Sequence, residues 1–304
     1  MSVVPVEARS YVHSAIAKAS ARTGVDFNYL LGQAQVESGL QTNARAGTSS
    51  ATGLYQFVEQ SWLGVVKAHG AEHGMAWAAD SIRQGSNGRY YVADSATRHA
   101  ILQLRNDPQA SSLMAAEHAA DNKAALEGAL GRAATGTDLY MAHFLGLGGA
   151  RQFLTTMQAS PDRPAAAMFP AAARANRSIF YGAGGQPRSL AEIYDRMATR
   201  LDRGAKAGGG SGVDTGDAPG GFPVNRMQPA VLMNGFDGDV IMGNEAQGND
   251  EAWLATTLAN LNVVRSRGGD ATAPQMQMQM ASLYRPTPES ARLAYSILAN
   301  LGNA

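Results

Sequence analysis

The sequence predicts an all-α protein, and three observations lead there. Apolar residues recur at three- and four-residue spacing through most of the chain up to Leu201. Capping residues stand where several of these stripes begin, and no stretch alternates apolar with polar side chains at the period of a strand. Val12, Ile16 and Ala19 share one face of a first helix that halts at Thr23-Gly24. Asp26 is placed to cap a second helix, with Phe27, Leu30, Leu31 and Ala34 on its apolar face and an end at Ser38-Gly39. A Gly- and Ser-rich loop follows from Arg45 to Gly53. Further helices are expected through Trp62, Val65 and Val66, then over 95–105, 112–130 and 138–157. Ser189 and Glu192 form a capping box ahead of the stripe Ile193, Met197, Leu201.

Composition changes after Leu201. Residues 204–249 are dominated by Gly, Asp, Asn and Pro, the signature of a flexible linker. Beyond them, Asp250 heads a helix through Trp253, Leu254, Leu258 and Leu261. Thr287-Pro288 starts another with Leu293, Ile297, Leu298 and Leu301, stopped by Gly302. The alternating Gln-Met run at 275–280 reads as a half-buried segment, or as an adaptable partner surface. Three parts result: a helical domain over 1–203, a Gly-rich linker over 204–249 and a small helical tail over 250–304.

Charge and cysteine content exclude several function classes. The 25 Lys+Arg balance 25 Asp+Glu across 304 residues, which leaves no basic concentration to hold nucleic acid or an anionic membrane. With no Cys there is no disulfide, thiolate zinc site or cysteine nucleophile. No run approaches the ~18 apolar residues of a membrane span. Glu7, Arg9 and His13 interrupt the place where a signal peptide would carry its apolar core, so no recognisable secretory signal is expected.

Glu37 is the most informative residue. It continues the face of Leu30 and Ala34, so it is directed toward the apolar side of its helix rather than toward water. It also falls in the last turn, at the negative end of the helix dipole. Desolvation and that dipole end both disfavour the ionised form, and a carboxylic acid that keeps its proton is what a general acid requires. The bland reading, a Glu that turns outward or pairs with Arg45, stands beside this one.

The segment from Gly24 to Phe57 resembles the catalytic segment of the soluble-type lytic transglycosylases. In that family a Glu-Ser pair at a helix end is followed by a Gly-Leu-hydrophobic-Gln turn, here Glu37-Ser38 and Gly53-Leu54-Tyr55-Gln56-Phe57. A third family motif, Ala-Tyr-Asn-Ala-Gly-x-Gly, is similar to Ala142-His143-Phe144-Leu145-Gly146-Leu147-Gly148. The resemblance covers about 14–154, and 165–203 resembles a helical extension of alphaproteobacterial-type relatives. It implies a lysozyme-like fold that cleaves peptidoglycan glycan strands between N-acetylmuramic acid and N-acetylglucosamine. Glu37 would serve as acid and then base, without cofactor or metal, and close a 1,6-anhydro ring. A muramidase on the same fold is the alternative. The residues implied on the substrate side are Ser38, Ser50, Gly53, Tyr55, Gln56, Tyr140, His143 and Phe144.

Within that set, Gly53 permits close backbone approach, Gln56 offers donors and acceptors to an N-acetyl or hydroxyl group, and Tyr55 offers a ring to stack on a sugar. Ser49 and Ser50 serve either to hold the loop or to bind sugar hydroxyls. Phe57 and Trp62 read as core. His143 aligns with a family Tyr that hydrogen-bonds the catalytic Glu, and Tyr140, one turn earlier on the same face, is a second source of a phenol. Glu59, Glu72 and Asp80 are the carboxylates that could fold toward Glu37 as a second catalyst. Such a substrate would place the protein in the periplasm or cell envelope, and the tail would dock on a secretion or flagellar apparatus protein.

Two readings compete. His69-Gly-Ala-Glu72-His73 matches the inverted zinc-peptidase pattern, in which two imidazoles share a helix face and the Glu acts as base. Gly70 and Gly74 weaken the helix that such a site needs. A non-catalytic wall-binding or assembly module is the other reading.

Overall fold

Helix caps written into the chain define most of the architecture of this computed structural model, which describes residues 6–47 and 50–213. Among these residues the helices are α1 Val6–Thr23, α2 Phe27–Ser38, α3 Glu59–His69, α4 Ala76–Ser81, α5 Ser95–Gln103, α6 Pro108–Leu130, α7 Gly136–Ala159, α8 Pro170–Ala175, α9 Arg177–Phe180 and α10 Leu190–Gly208. Short 3-10 turns at Gly70–His73 and Leu104–Asn106 follow α3 and α5. The fold is predominantly helical, as the sequence predicts.

Carboxylates cap α2, α5 and α6 at their N-termini: Asp26 accepts from the Tyr29 amide, Asp94 from Thr97 and Asp107 from Ala110. Capping boxes start α7 (Thr135 with Asp138) and α10 (Ser189 with Glu192). Left-handed glycines end α2, α6 and α10 at Gly39, Gly131 and Gly209.

One core joins these helices. α2 buries Tyr29, Leu30, Leu31 and Ala34 and packs against α10, while α6 packs between α1 and α7. Trp62 of α3 is fully buried, and its Nε1 donates to the Ile101 carbonyl at 2.8 Å, tying α3 to α5. No helix among the described residues is long and apolar enough to cross a membrane.

Three features depart from the expectation. Arg83–Gln84 pairs antiparallel with Tyr90–Tyr91 around a turn containing Gly88, and two-residue strands are too short to leave a period in the sequence. α7 is broken at Gly146, which has φ 70° and ψ 161°, so one sequence period hides two helical segments. The helical domain does not stop at 203: α10 runs to Gly208, and the amide of Val213 still bonds back to Asp202. Gly204 and Gly208 lie buried against α2 rather than opening a linker. A Cβ on Gly204 would meet Val36 Cγ2 at 2.7 Å and the Gly32 carbonyl oxygen at 2.8 Å. Ser49, the remainder of the linker over 214–249 and the tail over 250–304 lie outside the described residues.

Candidate active site

Glu37 stands one residue before the end of α2, where the chain reverses through two left-handed residues, Gly39 (φ 61°) and Leu40 (φ 63°). Its side chain is 7% exposed. Tyr140 Oη lies 3.4 Å from Glu37 Oε1, and His143 Nε2 lies 3.6 Å from the same oxygen. Both neighbours come from the first half of α7, one turn apart, with their rings stacked at 6.2 Å. Both contacts fall on Oε1.

Two phenols, Tyr29 and Tyr140, lie close to this carboxyl group, and a third, Tyr55, lies near Tyr29. Burial pushes the pKa of each upward, and the proximity of Glu37 pushes Tyr29 and Tyr140 further the same way. They remain neutral donors at any physiological pH. Tyr29 carries no sequence motif; its only sequence signal is its place two turns before Glu37 on α2.

Loop residues 50–57 form the second wall. The Ser38 hydroxyl lies 2.8 Å from the Leu54 carbonyl and 3.0 Å from that of Ala34, so it fastens the helix end to the loop. Gln56 takes a left-handed backbone (φ 48°), and its Nε2 donates to the carbonyls of Gly53 at 2.8 Å and Ala44 at 3.2 Å. Gly53 has φ 85°, and a Cβ there would fall 2.0 Å from the Arg105 carbonyl oxygen. Arg105, from the turn between α5 and α6, is buried beneath the loop. It donates to the carbonyls of Ser50, Phe57 and Leu102.

These positions correct several expected substrate contacts. Tyr55 is 1% exposed, so it cannot stack on a sugar; its ring belongs to the core, where Ser112 is its polar neighbour. Phe144 is equally buried and packs on Phe180 at 6.2 Å. Ser38 is occupied by backbone carbonyls, and both amide hydrogens of Gln56 are used within the loop. Gly53 acts through its lack of a side chain. Ser50 is exposed, with its hydroxyl 3.4 Å from the Glu59 amide. Tyr140 and His143 both reach Glu37, so the choice between them resolves into a pair. Phe57 and Trp62 are buried.

No second carboxylate joins Glu37 among its described polar contacts. Glu59 pairs with Arg98, Asp80 is exposed, and Glu72 lies on the Gly70–His73 turn.

A zinc site at His69, Glu72 and His73 requires both imidazoles on one α-helical face. α3 instead ends at His69, and a 3-10 turn carries His73. Both rings turn to carboxylates of α6: His69 Nε2 lies 2.8 Å from Asp121, His69 Nδ1 3.6 Å from Glu117, and His73 Nε2 2.6 Å from Glu117. Among the described residues no group of three or more His, Cys, Asp or Glu is arranged to hold a metal ion. His118, on the same face of α6, is desolvated and its pKa falls to about 4, so its ring stays neutral.

No protein-family model matches this chain.

Proposed function

We propose that this protein is a peptidoglycan lytic transglycosylase with a lysozyme-like fold, in which Glu37 is acid and then base. The observation that carries the reading is the Glu37 carboxyl group itself. It is nearly buried at a helix end and is approached at Oε1 by a phenol and an imidazole.

A proton on the Glu37 carboxyl group passes to the glycosidic oxygen between N-acetylmuramic acid and N-acetylglucosamine, and the C–O bond breaks. The substrate's own N-acetyl oxygen stabilises the anomeric carbon as positive charge develops there. Glu37, now ionised, accepts the proton of the sugar's 6-hydroxyl, whose oxygen attacks the anomeric carbon and closes the 1,6-anhydro ring. No water is consumed and Glu37 regains its proton. The neutral Tyr140 phenol donates to Oε1 while the carboxylate is charged. Inverting and retaining glycosidases generally divide these duties between two carboxylates. No second carboxylate is in hydrogen-bond or ion-pair contact with Glu37 among the described residues, and the family resemblance favours the anhydro-forming route over the muramidase.

The substrate implies action in the periplasm or cell envelope, and the tail over 250–304 is assigned to docking on a secretion or flagellar apparatus protein. Purified sacculi digested with wild type and Glu37→Gln, with muropeptides read by mass spectrometry, test the assignment. Products one water lighter than hydrolysis products are expected from wild type and none from the variant. Reducing ends would move the assignment to a muramidase. Equal release by Glu37→Gln would remove Glu37 from the mechanism. Release abolished by chelation would restore a metal peptidase.

A further inference from the structure

We infer that Arg105 is a positioning residue that clamps the 50–57 loop against the Glu37 helix end, an inference that rests on the glycan-cleaving reading of that site. Arg105 is 8% exposed, and its guanidinium makes three charge-assisted hydrogen bonds to backbone carbonyls. Nη1 alone reaches both ends of the loop, donating at 2.9 Å to Ser50 and at 2.9 Å to Phe57. Nε donates at 3.0 Å to Leu102, which anchors the side chain to its own turn. The main chain of Arg105 holds the middle of the loop as well, because its carbonyl occupies the space that any side chain at Gly53 would need.

From this clamp one polar link runs to the acid. The loop's Leu54 carbonyl receives the Ser38 hydroxyl, and Ser38 is bonded to Glu37 in the chain. Arg105 does not have Glu37 among its hydrogen-bond partners, so its action is indirect. It fixes the distance between the helix end that carries the acid and the loop opposite. A lysine cannot keep all three bonds, since its single ammonium cannot stand at the positions of both Nε and Nη1.

The test uses the full chain carrying Arg105→Lys and Arg105→Ala. Arg105→Lys should keep wild-type far-UV circular dichroism and lose roughly 10- to 100-fold in kcat on sacculi with a smaller change in KM, as a slight misplacement of a catalytic group predicts. Arg105→Ala should lose more and regain activity with millimolar guanidinium, but not with sodium chloride at equal ionic strength. In both variants the amides of residues 50–57 should exchange faster with deuterium while those of α6 keep their protection. A folded Arg105→Lys with wild-type kcat and wild-type loop exchange overturns the inference. If the wild type releases nothing from sacculi, the glycan reading falls by itself. The exchange measurement then still decides the clamp: unchanged protection refutes it, and faster exchange supports it.

Discussion

Replacing Gly204 by Ala tests whether the contact between α10 and α2 is as close as described. The added methyl would lie 2.7 Å from Val36 Cγ2 and 2.8 Å from the Gly32 carbonyl oxygen. Carbon contacts are comfortable at about 3.5–4.0 Å, so the helices must part by roughly 0.8 Å or more, or the methyl must be compressed. Overpacking of this kind costs about 1–3 kcal/mol. In the opposite direction, Ala is favoured over Gly in a helix interior by about 1 kcal/mol. Gly128 supplies the control, because it is exposed on α6 and a Cβ there meets nothing within 4 Å. Gly128→Ala should therefore stabilise by about 1 kcal/mol. Gly204→Ala should fall below it by about 1–3 kcal/mol in urea unfolding, the difference isolating the steric part. Its kcat on sacculi should also drop, since the methyl presses on Val36, the neighbour of Glu37. Equal stabilisation by the two variants, with unchanged kcat, would refute the close approach.

Two further outcomes follow from polar clusters away from the acid. Asp138 is fully buried and is bound by Arg132 Nη1 at 2.6 Å, the Thr135 amide at 2.8 Å and the Tyr194 hydroxyl at 3.1 Å. Asp138→Ala should cost about 3–5 kcal/mol by chemical denaturation, because a charged partner and a phenol lose their acceptor together. A loss below 1 kcal/mol would show that the cluster is not holding α7 to α10. At His69 the hydrogen bond to Asp121 raises the pKa of the ring, with Glu117 and Glu72 acting the same way and burial opposing them. That stabilisation is complete below the unfolded value, about 6.5, and is lost as pH rises through the higher folded value. Urea midpoints for wild type should therefore decline relative to His69→Gln from mildly acidic to alkaline pH. Parallel profiles would remove His69 from the linkage.

What was legible in the sequence is what depends on near neighbours. Asp26, Ser189 and the Gly39 stop act within one helical turn, and each stands where the sequence places it. Glu37 was legible because a 3.6-residue period puts it on the face of Leu30 and Ala34. Thr135 with Asp138, and Asp107 before Pro108, carry equally local signals that went unread. Contacts distant in sequence left no such trace. Arg105 meets Ser50 and Phe57 across 55 and 48 residues, and no pattern around position 105 announces that role. Tyr55 sits in a Gly-rich loop that suggests exposure, yet the loop folds its ring inward. Nothing in the local sequence marks Gly204, Gly208 and Gly210 as packing glycines, and only the presence of α2 shows that they are.

The closure of α10 on α2 also bears on the order in which the site can form. Asn28 and Ser211 exchange two hydrogen bonds across 183 residues, and Arg9 reaches the Ala207 carbonyl across 198. A ribosome delivers the Glu37 helix early, Arg105 and Tyr140 later, and α10, which packs on α2 and α7, last among the described helices. Contacts this distant must wait for the intervening chain, whose loop entropy they have to overcome. A chain that ends before α10 thus carries Glu37 without the helix that packs on α2. On the proposed function, such a chain should release nothing from sacculi.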